Sequence, residues 1–252
     1  MANDHEHPLV LSPVGGMGSI YKVASNRSDN RIGLWETIIN AVQVETMLEL
    51  GVWRGEFAAH ILAHCPSIKR YYMLDPWRPL PSWNKPLNVD AAVLERAHKE
   101  ALTATAFAKD KIVVLRGTTT EVIAQIPDSS LDLAYIDGDH TLRGITVDLL
   151  NTFPKVRAGG VIAGDDFVPS IWQHSTRYEP TLVFPFALYF AEANRLPAYA
   201  LSHSQFLLEA SATGYEFFDL TGDYSTQDLL HHIRLSRMIR KFAGDMVRNA
   251  RR

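Results

Sequence analysis

The sequence predicts a doubly wound α/β fold built on a seven-stranded, mostly parallel sheet, and three observations carry that reading. From Thr46 onward, apolar runs of strand length alternate with runs of helical period. A glycine-bearing turn, Gly51 to Gly55, follows the first of those strands. Acids stand directly behind three others, at Asp75, at Asp137, and at the pair Asp165-Asp166. Alternation of this kind places helices on both faces of a parallel sheet, and ligands bind such sheets beyond the carboxyl ends of the strands.

The elements are expected in the following order. Residues 1–32, with Gly15, Gly16 and Gly18 among Ser, Asn and Asp, show no clear period and read as an amino-terminal arm or lid. A helix from Gly33 to Gln43 sets Leu34, Ile38, Ile39 and Val42 on one face. Then come strand Thr46–Leu50, helix Glu56–Ala63, strand Tyr71–Leu74, helix Asp90–Ala108, strand Lys111–Leu115 and helix Thr120–Gln125. Strand Leu131–Ile136, helix Thr141–Phe153 and strand Gly160–Ala163 continue the pattern. An irregular aromatic segment leads to a helix from Thr181 to Asn194 and two strands, Ala198–Ser202 and Gln205–Glu209. Residues 33–225 thus form one domain, and residues 226–252 read as an amphipathic helix, with Leu229, Leu230, Ile233, Met238 and Ile239 set against Arg234, Arg237, Arg240 and Lys241.

Composition narrows the class. A chain of 252 residues that is 46% apolar and 21% charged is long enough to bury one sizeable core. A net charge of −3 gives no electrostatic reason to expect a nucleic-acid or membrane partner. The single cysteine, Cys65, sits in an apolar helical context and reads as core, which fits a reducing compartment. No secretory pattern opens the chain and no apolar run reaches the roughly 18 to 20 residues that span a bilayer, so a cytoplasmic protein is expected. The sequence leaves the oligomeric state open, a homo-oligomer included.

The chemistry-bearing residues lie at the strand ends. If Leu131–Ile136 and Gly160–Ala163 are neighbouring parallel strands, their ends are only about 5 Å apart. Asp137 and, 28 positions on, Asp165 with Asp166 then converge to hold one cation. The turn Gly51-Val52-Trp53-Arg54-Gly55 brings backbone amides close to a ligand. It lacks the third glycine of the dinucleotide fingerprint, and Trp53 fills the slot where a pyrophosphate needs close approach, so a ligand without a pyrophosphate is favoured. Asp75 ends the second strand where an acid can accept both hydroxyls of a ribose. Gly117, Thr118 and Thr119 end the third, where small hydroxyl residues line an adenine or cap the next helix. Asp139, just before Thr141, reads as a cap.

Together these segments resemble the class I S-adenosylmethionine-dependent methyltransferases, which are Rossmann-like in fold. Within them they resemble the metal-dependent O-methyltransferases of small molecules, of the catechol, caffeoyl-CoA and macrocin-like types. The resemblance covers roughly Leu34 to Phe167. It implies that Glu49, Gly51, Trp53 and Gly55 hold the methionine part of the cofactor. Asp75, followed by Pro76, would bind the ribose, Gly117, Thr118 and Thr119 would touch adenine, and Asp137 and His140 would complete the cofactor set. It also implies Mg²⁺ or another divalent cation on Asp137, Asp165 and Asp166. The catechol-type enzymes carry a lysine base three residues after the first metal acid; here that position is His140.

The expected activity is transfer of a methyl group from S-adenosylmethionine to a hydroxyl of a small-molecule acceptor. An all-oxygen acidic set suits a hard cation that lowers the hydroxyl pKa, and His140, at an ordinary pKa near 6.5, is placed to take the proton. Trp172, His174, Arg177 and Tyr178 are placed to close over the acceptor, with Trp77, Trp83 and Asn84 as a facing wall. His203 sits in the turn between the last two strands without a recognisable partner. Three rivals remain: a metal-independent O- or N-methyltransferase using His140 alone, a methyltransferase-like module that binds without turnover, and a nicotinamide dehydrogenase.

Overall fold

The computed structural model describes residues 16–211 and 213–224. Helices α1 (Met17–Arg27) and α2 (Arg31–Val42) precede β1 (Thr46–Leu50), α3 (Glu56–His64), β2 (Arg70–Asp75) and α4 (Ala91–Ala104). Then follow β3 (Ile112–Arg116), α5 (Thr119–Val122), β4 (Leu131–Ile136), α6 (Leu142–Thr152), β5 (Val156–Gly164) and α7 (Val183–Asn194). Strands β6 (Ala198–Leu201), β7 (Gln205–Glu209) and β8 (Phe217–Asp219) close the described chain.

The strands make one sheet in the order β3-β2-β1-β4-β5-β7-β6-β8. Pairing is parallel from β3 to β5, and β7 runs antiparallel to both of its neighbours. The sheet has eight strands rather than seven: β8 pairs in parallel with β6 through Phe217, Phe218 and Asp219, too short a run for alternation to show in sequence.

Strand side chains alternate between two cores. Met47, Tyr71, Met73, Leu133, Tyr135 and Ala163 face the layer formed by α1 to α4. Leu48, Tyr72, Leu74, Ala134, Ile136 and Ile162 face α5, α6 and α7. Cys65 is buried in the first core, as its apolar context implied.

The amino-terminal segment departs from the expected arm. Residues 17–27 form a helix that buries Tyr21 and Ala24 completely, with Tyr21 packed edge-on against Tyr199 at 5.0 Å. Only Tyr21, Ala24 and Ser25 turn inward, so the helical period is carried by three small or aromatic residues and is masked by the neighbouring glycines and serines. Helix α2 starts two residues earlier than expected because Asn30 caps it, its side chain accepting from the Gly33 amide at 3.0 Å. The expected helix over residues 226–252 and the first half of the arm lie outside the described residues. Among the described residues no helix is long and apolar enough to cross a membrane.

Candidate active site

The sheet ladder runs past the strand ends into the loops behind them. Gly51 N donates to Leu74 O at 2.9 Å, Gly117 N to Asp75 O at 3.1 Å, Asp137 N to Leu50 O at 2.7 Å and Asp165 N to Ile136 O at 3.0 Å. The loops after β1 to β5 therefore lie side by side along one rim. Above this rim is a cavity of about 610 Å³, large enough for a nucleoside-sized molecule and an acceptor.

Gly51, Trp53, Asp75, Pro76, Thr118, Thr119, Asp137 and His140 all line the cavity, together with Trp77 and Trp83. A Cβ at Gly51, whose φ is +91°, would meet the Asp137 carbonyl oxygen at 2.0 Å, so only glycine lets β1 and β4 end this close together. Asp75 organises the turn from the next strand: its Oδ2 accepts the amides of Val52 at 3.0 Å and Trp53 at 2.9 Å, and its Oδ1 that of Trp77 at 2.7 Å. Trp53 and Trp77 both take left-handed backbone conformations, φ 52° and 41°, and the Trp77 indole donates to Trp53 O at 2.8 Å. Two strained aromatic positions are thus fastened to each other at the cavity wall.

Three residues of the expected cofactor set lie elsewhere. Glu49 is buried under the sheet and accepts the Tyr71 hydroxyl at 2.9 Å; burial pushes its pKa well up, which disfavours its charged form. Gly55 starts α3 where a Cβ would meet Ala101 Cα at 2.9 Å, which makes it a packing glycine between α3 and α4. Gly117 faces Val122 rather than the cavity. Thr118 forms a capping box with Glu121 at the start of α5, yet it also lines the cavity.

The acids come together around Arg31, a residue that had not stood out in the sequence. Its Nη1 lies 2.6 Å from Asp137 Oδ2 and also contacts Asp165 Oδ2. Asp165 is further held by Gln205, whose Nε2 donates to Asp165 Oδ1 at 2.6 Å while its Oε1 accepts from Trp35 and Tyr135, each at 2.8 Å. Asp166, at a left-handed φ of 58°, contacts the Gln173 amide through Oδ1 and His140 Nδ1 through Oδ2. Burial raises the pKa of all three aspartates, and Asp137 and Asp165 repel each other besides. Burial works against the Arg31 charge, and Tyr135, Asp137 and Asp165 overcome it.

A site that raises three carboxyl pKa values and draws in a guanidinium is short of positive charge, and its donor set fits a divalent cation. Asp137, His140 and Asp166 present ligand atoms within 4.8 Å of one another; Asp165 is drawn toward Arg31 and Gln205 and stands outside that group. His140 differs from the ordinary imidazole expected of it: burial, reinforced by Lys85, pushes its pKa down to about 4, so it is neutral at physiological pH.

The two segments expected to flank an acceptor meet each other, although Asn84, Trp172, His174, Arg177 and Tyr178 do not line the cavity. Asn84 donates to Arg177 O at 3.0 Å, and buried Lys85 donates to Glu179 O at 3.0 Å and to Thr181 Oγ1 at 3.1 Å. His174 lies 6.5 Å from His140 between ring centres, and the Arg177 guanidinium stacks 4.8 Å over Tyr178. His203 is turned away from the cavity and bonds to the Ser28 carbonyl at 2.8 Å. No sequence signal marks Lys85, whereas Arg31 at the first turn of a capped helix and Gln205 within an apolar run are polar residues at positions that position side chains inward.

Residues 48–167 match a protein family described as a methyltransferase domain. A curated protein of Sinorhizobium fredii, the uncharacterized protein y4gI, is 32% identical over 81 residues, which are 29% of this chain and 9% of that relative's length. Among solved structures, an O-methyltransferase from Bacillus cereus in complex with SAH superposes with a TM-score of 0.54 at 18% identity, over 77% of this chain and 89% of that one. Cofactor-bound Rv0187 from MTB gives 0.54 at 17% identity, over 80% and 92%. Residues 48–167, just under half of the chain, lie on the strand ends that build the cavity, and this segment with its sheet resembles a class I methyltransferase domain.

Proposed function

We propose that this chain transfers a methyl group from S-adenosylmethionine to a hydroxyl of a small molecule, assisted by a divalent cation. The observation that carries the reading is the cavity itself, which is lined by the Asp75-braced glycine turn, by Thr118 and Thr119, and by Asp137 with His140. That sequence of surfaces suits a nucleoside carrying an amino-acid tail. The solved O-methyltransferase that binds SAH has the same fold.

Methyl transfer is an in-line displacement, so the protein has to align two reactants and help the acceptor lose a proton. When bound, S-adenosylmethionine supplies an electrophilic methyl group, and a divalent cation on Asp137, His140 and Asp166 supplies a lowered pKa at the acceptor hydroxyl. Trp77, Trp83 and Leu80 wall the cavity and exclude water. His140 Nδ1 faces Asp166 Oδ2, and the neutral ring has a single lone pair, which serves the cation when one is bound and is free to take a proton only when none is. With its low basicity His140 is a weak base, so this site favours acceptors whose hydroxyl is already acidified.

Calorimetry with S-adenosylmethionine and S-adenosylhomocysteine, with and without Mg²⁺, tests binding. Radiolabelled methyl transfer to a panel of phenols, sugars and polyketides, with and without chelator, tests turnover. One nucleoside bound per chain and transfer that falls on chelation are expected. Binding without turnover on any acceptor would favour a binding module, and failure to bind either nucleoside would sink the reading.

A further inference from the structure

On the opposite layer of the molecule, we infer that Glu36, His60 and His64 form a second cation site, of a kind that takes Zn²⁺ or a similar transition metal. His60 and His64 are four residues apart on α3, so both rings leave the same helix face. That face looks at Glu36 on α2, and the ligand atoms of all three residues lie within 4.8 Å of one another. None of them lines the cavity described above.

Three contacts describe how these side chains are held before a metal enters. His64 Nδ1 lies 2.9 Å from the His60 carbonyl oxygen, and because a carbonyl can only accept, Nδ1 must carry the hydrogen and Nε2 the free lone pair. This is the backbone anchoring that orients metal-bound imidazoles. The two rings stack at 4.1 Å with planes 21° apart, so they lie side by side, and one imidazole has to turn about its side chain for both lone pairs to meet one ion. His60 Nε2 lies 2.6 Å from Glu36 Oε2, and because a carboxylate accepts, that nitrogen carries a hydrogen which a metal ion would displace. Tetrahedral ligands around Zn²⁺ stand about 3.3 Å apart, so insertion requires these two side chains to separate by less than about 1 Å.

A hydrogen bond alone would account for His60 and Glu36. It would not account for the anchored tautomer of His64, whose free nitrogen lies with the other two ligand atoms. The half-exposed seam leaves room for water as a fourth ligand, and two imidazoles with one carboxylate select Zn²⁺, Cu²⁺ or Ni²⁺ over Mg²⁺. The site would fasten α2 to α3. Glu36 stands five residues along the helix that begins with Arg31, so a metal here would also steady the guanidinium between Asp137 and Asp165.

The test uses the full chain without an affinity tag. Co²⁺ is titrated as a spectroscopic stand-in for Zn²⁺, followed by the d–d absorption of four-coordinate cobalt, and Zn²⁺ binding is measured by competition with a chelating dye. The parent protein is expected to show the cobalt bands and to gain about 5 °C in Tm at a hundredfold excess of Zn²⁺ over Kd. His60→Gln combined with His64→Gln should abolish the bands, Glu36→Gln alone should weaken binding at least tenfold, and Asp166→Asn should leave them intact. All four positions can be checked for folding by circular dichroism before titration, and the exposed His64→Gln alone serves if the double variant does not fold. Bands that persist unchanged when His60 and His64 are both replaced, or a parent protein that gives none, overturn the site. Amide exchange along α2 should slow with Zn²⁺; metal binding without that protection overturns the fastening role.

Discussion

Arg31 Nη1 lies 2.6 Å from Asp137 Oδ2 and contacts Asp165 as well, so a guanidinium from α2 joins the acids that end β4 and β5. Two buried carboxylates this close would otherwise repel. Helix α2 is thereby coupled to the chemistry although it precedes the first strand, and the amino-terminal layer becomes part of the site.

Removing that charge should leave the acids more dependent on a metal. In Arg31→Gln, Asp137 and Asp165 lose their common partner; a fully buried pair broken this way costs ~3–5 kcal/mol, and the side-chain exposure of 38% at Arg31 brings the expectation down to about 1–2 kcal/mol. Tm should fall by about 4 °C in the absence of divalent ions. Mg²⁺ or Mn²⁺ should then raise Tm more in the variant than in the parent. Equal shifts in both would show that the guanidinium and the cation do not share these carboxylates.

Asp75 bonds three backbone amides, at Val52, Trp53 and Trp77. Asp75→Asn turns one accepting oxygen into an N–H₂ that faces an amide donor, leaving at least one buried N–H unpaired at about 1–3 kcal/mol. The glycine turn should loosen as a result. Calorimetry should show S-adenosylhomocysteine binding weakened by about tenfold or more, while a turn that keeps full affinity would mean that Asp75 is no more than a surface brace.

Glycines on the rim separate positional need from simple helix weakness. Gly51→Ala places a Cβ 2.0 Å from the Asp137 carbonyl oxygen at a φ of +91°, so β1 and β4 must part; a loss of more than about 4 kcal/mol and no nucleoside binding are expected. Gly33→Ala, in the first turn of α2, meets only the Asn30 side chain at 3.8 Å. It should stabilise the protein by up to about 1 kcal/mol. Urea denaturation of the two variants checks both signs.

What could be read from the sequence followed the physics of local signals. The strands β1, β2, β4 and β5 are largely buried on both faces and, with the less buried edge strand β3, stand out as apolar runs, and the acids behind them announce the rim. Gly51, Asp75 and Asp137 were legible because a turn glycine and a strand-end acid carry meaning at their own positions. Arg31, Gln205 and Lys85 were not, because their roles arise from contacts across 106 residues, 40 residues and 96 residues of chain. Helix α1 was hidden for a different reason: its buried face is Tyr21, Ala24 and Ser25, a stripe too thin to show a period. Glu49, expected as a ligand residue, does not line the cavity, because the side chain of an alternating strand points under the sheet, where Tyr71 meets it.

Asp148 offers a stability signature that a single substitution can isolate. It lines the cavity from α6 at only 4% exposure; its Oδ1 accepts the Thr119 hydroxyl at 2.5 Å, and its Oδ2 has no hydrogen-bond partner among the described residues. Burial, with the nearby Asp139 charge, pushes its pKa up to about 7. From about pH 4, where an unfolded aspartate ionises, to about 7, the folded protein keeps a proton that the unfolded chain releases. Stability from this group is therefore greatest in acid, declines as pH rises through that window, and is level above it. Three pKa units correspond to ~4 kcal/mol at most, and relaxation of the site makes about 1–3 kcal/mol the realistic cost. Asp148→Asn keeps the acceptor for Thr119 without an ionisable proton. At pH 8 the variant should be more stable than the parent by that amount, and at pH 5 the two should differ little. Urea midpoints measured across the range decide it: curves that run parallel from pH 5 to 8 would mean that Asp148 ionises in the folded protein as readily as in water.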